Sequence, residues 1–268
     1  MSGFSADWLS LREPYDLRAR SPKLLAAVAE AYAKFPALTI VDLACGTGST
    51  LRALAPRLPM QQSWKLVDND LGLLVRAAEA SHPRARVTTA AIDLVRDLEA
   101  ALDGPLDLVT TSALLDLVSE GWLERLATEV AARRLPLYAS LSYDGRIMFE
   151  PSDPLDDAII SAVNDHQRRD KGFGPALGPA AASRAVALMK KVGYSVMHAP
   201  ADWVMEPHDR DMQAALLDGW AAAAREVGQQ SPAEIIAWIT RRREALARGQ
   251  SSIRVGHIDA FATPIALR

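Results

Sequence analysis

Along this chain the apolar positions change period several times. Between residues 5 and 34 they recur at helical spacing, with Trp8, Leu9 and Leu11 followed by Leu24, Leu25, Val28 and Tyr32. Pro14 and Ser21-Pro22 punctuate that stretch, and Ser21 suits a helix N-cap with Pro22 at the first helical position. From residue 38 short apolar runs alternate with helical patterns. Strands are expected at about 38–43, 65–68, 87–92, 106–111 and 136–142, with helices at about 48–57, 70–81, 94–102 and 121–132 between them. On the 70–81 helix the expected buried face is Leu71, Leu74, Val75 and Ala78. Such alternation predicts a mostly parallel sheet covered on both faces.

After Tyr143 the rhythm breaks. Residues 144–180 are rich in Asp, Arg, Pro and Gly around one helical piece, 154–168. A helix at 180–192, ended by Gly193, leads to a strand at 194–198. Two Ala-rich amphipathic helices, 209–227 and 231–248, precede a last strand at 253–261.

Composition narrows the classes. The 268 residues are 49% hydrophobic and 24% charged, which fits one domain with insertions. A net charge of −3 and a pI near 6.0 leave no basic surplus, so nucleic acid is not the expected partner. The pairs and triplets Arg168-Arg169 and Arg241-Arg242-Arg243 are expected to be solvated helix faces. A single cysteine, Cys45, allows neither an internal disulfide nor a cysteine-built zinc site. His82, His166, His198, His208 and His257 lack metal-ligand spacing, and no metal is expected. No apolar run is long enough for a transmembrane helix, and MSGFSADWLSLREP is no basic-then-apolar leader. The expectation is a cytoplasmic protein without membrane contact; the oligomeric state stays open.

The segment Val41–Leu51, VDLACGTGSTL, carries the strongest chemical signal. A buried strand meets a turn containing Gly46 and Gly48, and then a helix begins. Glycine, lacking Cβ, lets backbone N–H groups approach a ligand, so a nucleotide-like cofactor is expected. A dinucleotide fingerprint needs a third glycine. Leu51 stands at that place in one register, and Ala44 and Ser49 break the other.

The stretch Asp42-Leu43-Ala44-Cys45-Gly46-Thr47-Gly48 instead resembles the first motif of class I S-adenosylmethionine-dependent methyltransferases, with alanine at 44 where glycine is commoner. The resemblance covers about residues 38–142. It implies that Asp42, Ala44, Cys45, Gly46 and Gly48 hold the methionine part of the cofactor. It implies that Asp68, ending the second strand beside Asn69, accepts hydrogen bonds from the ribose hydroxyls. Asp93 would lie near the adenine amino group, with Ile92 and Leu94 flanking the ring. Thr110–Leu117, including Ser112, resembles the fourth-strand motif that passes under the sulfonium. Each residue also has an ordinary alternative: Asp42 as a helix cap, Asp68 and Asp93 as solvated strand-end carboxylates.

Arg12, Tyr15, Arg18 and Arg20 precede the core on a stretch that family members use as a lid. Arg18 is the arginine expected to pair with the cofactor carboxylate, the alternative being a surface arginine on a cap helix. Ligands of open α/β sheets bind at the carboxyl edge, so acceptor-side groups are sought after strands four and five. Asp116 is the first, with a helix N-cap or first-turn carboxylate as its alternative. Tyr143 follows strand five. His166 lies in NDHQRRDKGFGPALGP, and histidine is the side chain that ordinarily titrates nearest neutrality. Arg169 and Lys171 in that segment suit a substrate carboxylate or phosphate. Trp203, Trp220 and Trp238 are expected in cap packing or as an aromatic wall.

The expected architecture is α/β: a Rossmann-like seven-stranded methyltransferase sheet with helical cap insertions. It divides into a helical lid (1–34), a cofactor-binding core (35–143), cap insertions (144–180 and 207–250), and the last helix and strands of the core (181–206 and 251–268). The expected activity is methyl transfer from S-adenosyl-L-methionine to an oxygen or nitrogen of a small-molecule acceptor, leaving S-adenosyl-L-homocysteine. The rivals are a non-catalytic module binding either form of the cofactor, and a nicotinamide-dependent oxidoreductase.

Overall fold

A computed structural model describes residues 4–59, 61–79 and 82–265. Two helices come first, α1 (Ala6–Ala19) and α2 (Pro22–Tyr32). Pro14 lies inside α1 and does not end it. Ser21 caps α2, its hydroxyl accepting from the Leu24 N–H at 3.4 Å, with Pro22 at the first position as expected.

The core alternates β1 (Ala37–Leu43), α3 (Ser49–Leu54), β2 (Gln61–Asp68), α4 (Leu71–Ala78), β3 (Ala85–Ala91), α5 (Leu98–Ala101), β4 (Leu108–Ser112), α6 (Glu120–Ala132) and β5 (Leu137–Glu150). Then come α7 (Asp156–Gln167), α8 (Ala181–Lys191), β6 (Tyr194–Pro200), β7 (Trp203–Met205), α9 (Arg210–Val227), α10 (Pro232–Ala247) and β8 (Ser252–Pro264). The sheet order is β3-β2-β1-β4-β5-β8-β6, with β7 beside β8. Strands β1–β5 pair in parallel, whereas β8 runs antiparallel to its neighbours. β1 and β4 are buried along nearly their whole length because helices cover both their faces, the β4 threonines included.

Three details depart from expectation. On α4 the buried residues are Leu73, Leu74 and Ala77, while Leu71, at the rim of a cleft, and Val75 are exposed. That helix ends at Ala78, and Ser81 lies outside the described residues. β7 is an eighth strand that the seven-stranded reading lacks. It exists because β5 and β8, 14 and 13 residues long, continue past the sheet as a ribbon. There Tyr143 faces His257, Phe149 faces Ile253, and β7 pairs Val255–Ile253.

The ribbon carries a second core. Ile147, Phe149, Trp203, Met205, Ile253 and Val255 pack against α7, α9, α10 and α1 through Ile159, Leu217, Trp220, Trp238 and Tyr15. Trp220 and Trp238 meet Phe149 edge-on at 5.5 and 6.0 Å. The three late tryptophans are therefore packing residues. The segments 144–180 and 207–250 meet here as one helical layer above the carboxyl edge of β4 and β5. Among the described residues no helix is long and apolar enough to cross a membrane.

Candidate active site

The strand–turn–helix at Val41–Leu51 builds the floor of a cleft of about 1080 Å³ at the carboxyl edge of the sheet. The chain leaves β1 through three left-handed residues, Ala44 (φ 53°), Gly46 (φ 54°) and Gly48 (φ 85°). Cys45 N–H bonds Val67 O at 2.9 Å, which ties the turn to β2. The Asp68 carboxylate completes the tie, Oδ2 accepting from Gly46 N–H at 2.9 Å and Oδ1 from Asp70 N–H at 3.0 Å. A Cβ at position 46 would come within 3.2 Å of Leu9 Cδ1, so the bare turn is also where α1 seats.

Most expected cofactor residues line this cleft: Ala44, Cys45, Gly46, Asp68, Asn69, Ile92, Asp93, Leu94 and Ser112. Asp42 and Gly48 lie behind it. Asp42 is fully buried; Oδ1 accepts from Thr110 Oγ1 at 2.8 Å, while Oδ2 has no partner. Burial pushes its pKa up to about 6, against the Thr110 hydrogen bond and the Arg20 charge. Burial also raises the Cys45 thiol, as do Asp42 and Asp68, so Cys45 is packing rather than a nucleophile.

Arg18 is not at the cleft. It points outward, over the Tyr15 ring and 4.0 Å from Asp209. Arg12 lines the cleft instead, fixed by Asp16 (Nε to Oδ2 3.0 Å), which also accepts from Trp203 Nε1 at 2.9 Å. Leu9, Arg12 and Asp16 fall on one face of α1 by their i, i+3, i+7 spacing, a signal present in the sequence. Arg20, the next turn on, is buried, donating to Ser140 Oγ and, at 3.2 Å, to Ser112 Oγ. Its charge faces buried Asp259, which accepts from Ser21 N–H and Leu141 N–H, both at 2.8 Å.

The three acceptor-side candidates do not converge. Asp116 and Tyr143 are neighbours, since the Tyr143 backbone amide supports the Asp116 carboxylate. Neither lines the cleft. Asp116 is buried in the loop after β4, Oδ1 without a partner, and burial raises its pKa to about 6. It is not a helix cap: Ser119 caps α6. The Tyr143 hydroxyl donates to Asn164 Oδ1 at 2.8 Å, and burial raises its pKa. His166 points to Glu226 on α9, at 3.0 Å. From its segment it is Asp170, Lys171, Gly172 and Phe173 that reach the cleft. His257, buried against Trp203 (4.6 Å between rings), is held neutral: burial and then Arg12 lower its pKa to about 3.

A mostly parallel sheet in this order, with a glycine turn after β1 and a carboxylate ending β2, is the arrangement of a nucleotide-type cofactor site. Residues 40–135 match the family model described as "Methyltransferase domain". The matched stretch is the cofactor-binding core of the sheet, and the strand order around it is that of the fold this family shares. Among solved structures the chain is similar to a cyclopropane-fatty-acyl-phospholipid synthase-like protein from Lactobacillus casei, at 14% identity and TM-score 0.55, covering 97% of this chain and 94% of that one. It is also similar to the YcgJ protein from Bacillus subtilis, at 14% identity and TM-score 0.50, covering 92% and 100%. At such identities the likeness is one of fold. No curated protein matches the chain in sequence.

Proposed function

We propose that the chain methylates an oxygen or nitrogen of a small molecule that enters between the cleft and the helical cap. The observation that carries this reading is the cleft itself. Its volume of about 1080 Å³ exceeds the roughly 300–1,000 Å³ of ordinary small-molecule pockets, which leaves room for a cofactor and a modest acceptor together.

The residues present fit S-adenosylmethionine. Asp68 keeps lone pairs on both oxygens for ribose hydroxyls, beyond those given to Gly46 and Asp70. Asp93 would meet the adenine amino group between Ile92 and Leu94. The unpartnered Asp42 Oδ2 lies behind the glycine turn and would face the methionine ammonium, directly or through water. Arg12 takes the place foreseen for Arg18 and would face the cofactor carboxylate.

Bound there, the cofactor supplies an activated methyl group with its own leaving group. What remains for the protein is alignment and exclusion of water. The wall made by α1 and the 170–173 loop would exclude water, and the cap would orient the acceptor. The test is formation of S-adenosylhomocysteine from S-adenosylmethionine with panels of phenols, alcohols, carboxylates and amines. Turnover with one class supports the reading. Tight binding of both cofactor forms with no turnover on any panel would make the chain a binding module.

A further inference from the structure

Lys171 is the single lysine among the residues lining the cleft, and it leans on a histidine. Its Nζ lies 3.4 Å from His166 Nδ1, and His166 Nε2 lies 3.0 Å from Glu226 Oε2. The Glu226 side chain is 61% exposed. Three titratable groups thus run in a line from the cleft, through the cap, to solvent.

The surroundings hold this line in place. Asp170 Oδ1 accepts from Gly172 N–H at 2.6 Å and Gly174 N–H at 3.0 Å, and both glycines adopt left-handed φ (102° and 84°). The chain therefore doubles back between His166 and the cleft. Phe173 anchors the far side, edge-on to Trp122 at 5.4 Å and bridged to Val118 after β4. Arg169 Nη2 donates to the Glu226 backbone carbonyl at 2.9 Å, which fixes the end of α9 to the loop.

Both contacts are hydrogen bonds when neutral His166 carries its proton on Nε2, donating to Glu226 while Nδ1 accepts from Lys171. Moving one proton from Lys171 to Nδ1 leaves an imidazolium between a neutral amine and a carboxylate, with every contact kept.

We propose that Lys171, His166 and Glu226 form a proton relay, with Lys171 the group that touches the acceptor. The proposal rests on the methyl-transfer reading for its purpose. A lone pair on the acceptor oxygen or nitrogen forms the new bond to the methyl carbon, the C–S bond breaks with its pair left on sulfur, and the O–H or N–H bond breaks with its pair kept by the acceptor as the proton passes to the neutral Lys171 amine. The resulting ammonium hands a proton to His166 Nδ1, and Nε2 releases one to Glu226 and water. A relay of this kind serves acceptors that keep their proton at neutral pH, namely alcohols, phenols and amines, and is superfluous for a carboxylate. Burial and the Arg169 charge lower the Lys171 pKa, in the direction a base requires, while Glu226 opposes them.

The test is nuclear magnetic resonance on the free chain with labelled lysine and histidine side chains. Lys171 is expected to titrate below the ordinary lysine value of about 10.4. His166 is expected to hold the Nε2–H tautomer, and Lys171→Met, which removes the donor to Nδ1 while the Glu226 acceptor stays, should weaken that preference. Glu226→Gln should lower the Lys171 midpoint further. An ordinary lysine midpoint, or a His166 tautomer indifferent to Lys171→Met, would overturn the relay. None of these readouts needs cofactor, so a failure to bind S-adenosylhomocysteine overturns the methyl-transfer reading separately.

Discussion

Asp68→Ala separates the two tasks assigned to one carboxylate. In the free chain Asp68 latches the glycine turn through Gly46 N–H and steadies Asp70 N–H. Both amides border the cleft, where water can replace the lost acceptor. The stability cost is therefore expected at about 1–2 kcal/mol, the low end for an unsatisfied polar group. The binding cost is larger. Two ribose hydroxyls lose an ionised acceptor worth about 1.5–3 kcal/mol each, or roughly 3–6 kcal/mol together. At about 1.4 kcal/mol per decade, affinity for S-adenosylhomocysteine should fall about 10²–10⁴-fold. Calorimetric titration gives the affinity and urea unfolding gives the stability. A variant that loses the expected stability yet binds within about fivefold of wild type would leave Asp68 a latch only, and the ribose assignment would be wrong.

Asp116→Asn tests the buried orphan carboxylate. Its folded pKa, raised to about 6, lies above the unfolded value, so the native state binds more protons between about pH 4 and 6 and the charge progressively destabilises the wild type as pH rises through that window. The stability advantage of Asp116→Asn should grow across the window to about 2–3 kcal/mol at pH 7, at about 1.4 kcal/mol per pH unit, and a difference flat in pH refutes the raised pKa. Gly46→Ala must hold φ near 54° with a methyl group 3.2 Å from Leu9 Cδ1. It should cost about 1–2 kcal/mol in stability by thermal unfolding and weaken S-adenosylhomocysteine binding, whereas full binding would exclude the turn from the site. Trp238→Ala removes a fully buried ring and the donor to Asp156 Oδ1 at 2.9 Å. Urea unfolding should show a loss of about 3–5 kcal/mol, and under about 1 kcal/mol would mean the cap core is not cooperative with the rest.

The parallel half of the sheet was readable because each strand is a short buried run flanked by helical periodicity, and the cofactor floor because its turn needs glycines. The ribbon was missed at its first residues. Tyr143-Asp144-Gly145-Arg146 looks like a turn, yet Ile147 and Phe149 alternate inward and Arg146 and Met148 outward, a period of two. The expectation also stopped at the polar start of that stretch. Nothing in the sequence ranks Arg18 over Arg12 while α1 is read as punctuated at Pro14. Once α1 is continuous, Arg12 and Asp16 stack one turn apart on the face turned to the cleft. His166 was singled out for its chemistry. No local signal showed that Gly172 and Gly174 would fold the loop back and put Lys171 at the cleft instead.

The same continuity changes what the first helix can do. A lid must leave its seat at modest cost, yet α1 is fastened on both sides. Toward the core, Glu13 receives Arg52 of α3 at 2.5 and 2.7 Å. Toward the cap, Tyr15 donates to Asp209 at 2.8 Å, Asp16 receives Trp203, and Trp8 meets Trp203 edge-on at 6.5 Å. Lifting α1 would break the Asp16–Trp203 and Tyr15–Asp209 hydrogen bonds and two packed surfaces, so α1 is expected to act as a fixed wall. Cofactor entry is then expected at the rim where Leu71 and Arg96 stand exposed, with the cap side left to the acceptor. Hydrogen exchange decides between wall and lid. A wall keeps the amides of residues 9–19 as protected as those of α9 with or without S-adenosylhomocysteine, because neither opens short of breaking the cap core. A lid exchanges quickly when empty and gains protection when the cofactor binds, and that outcome would refute the wall.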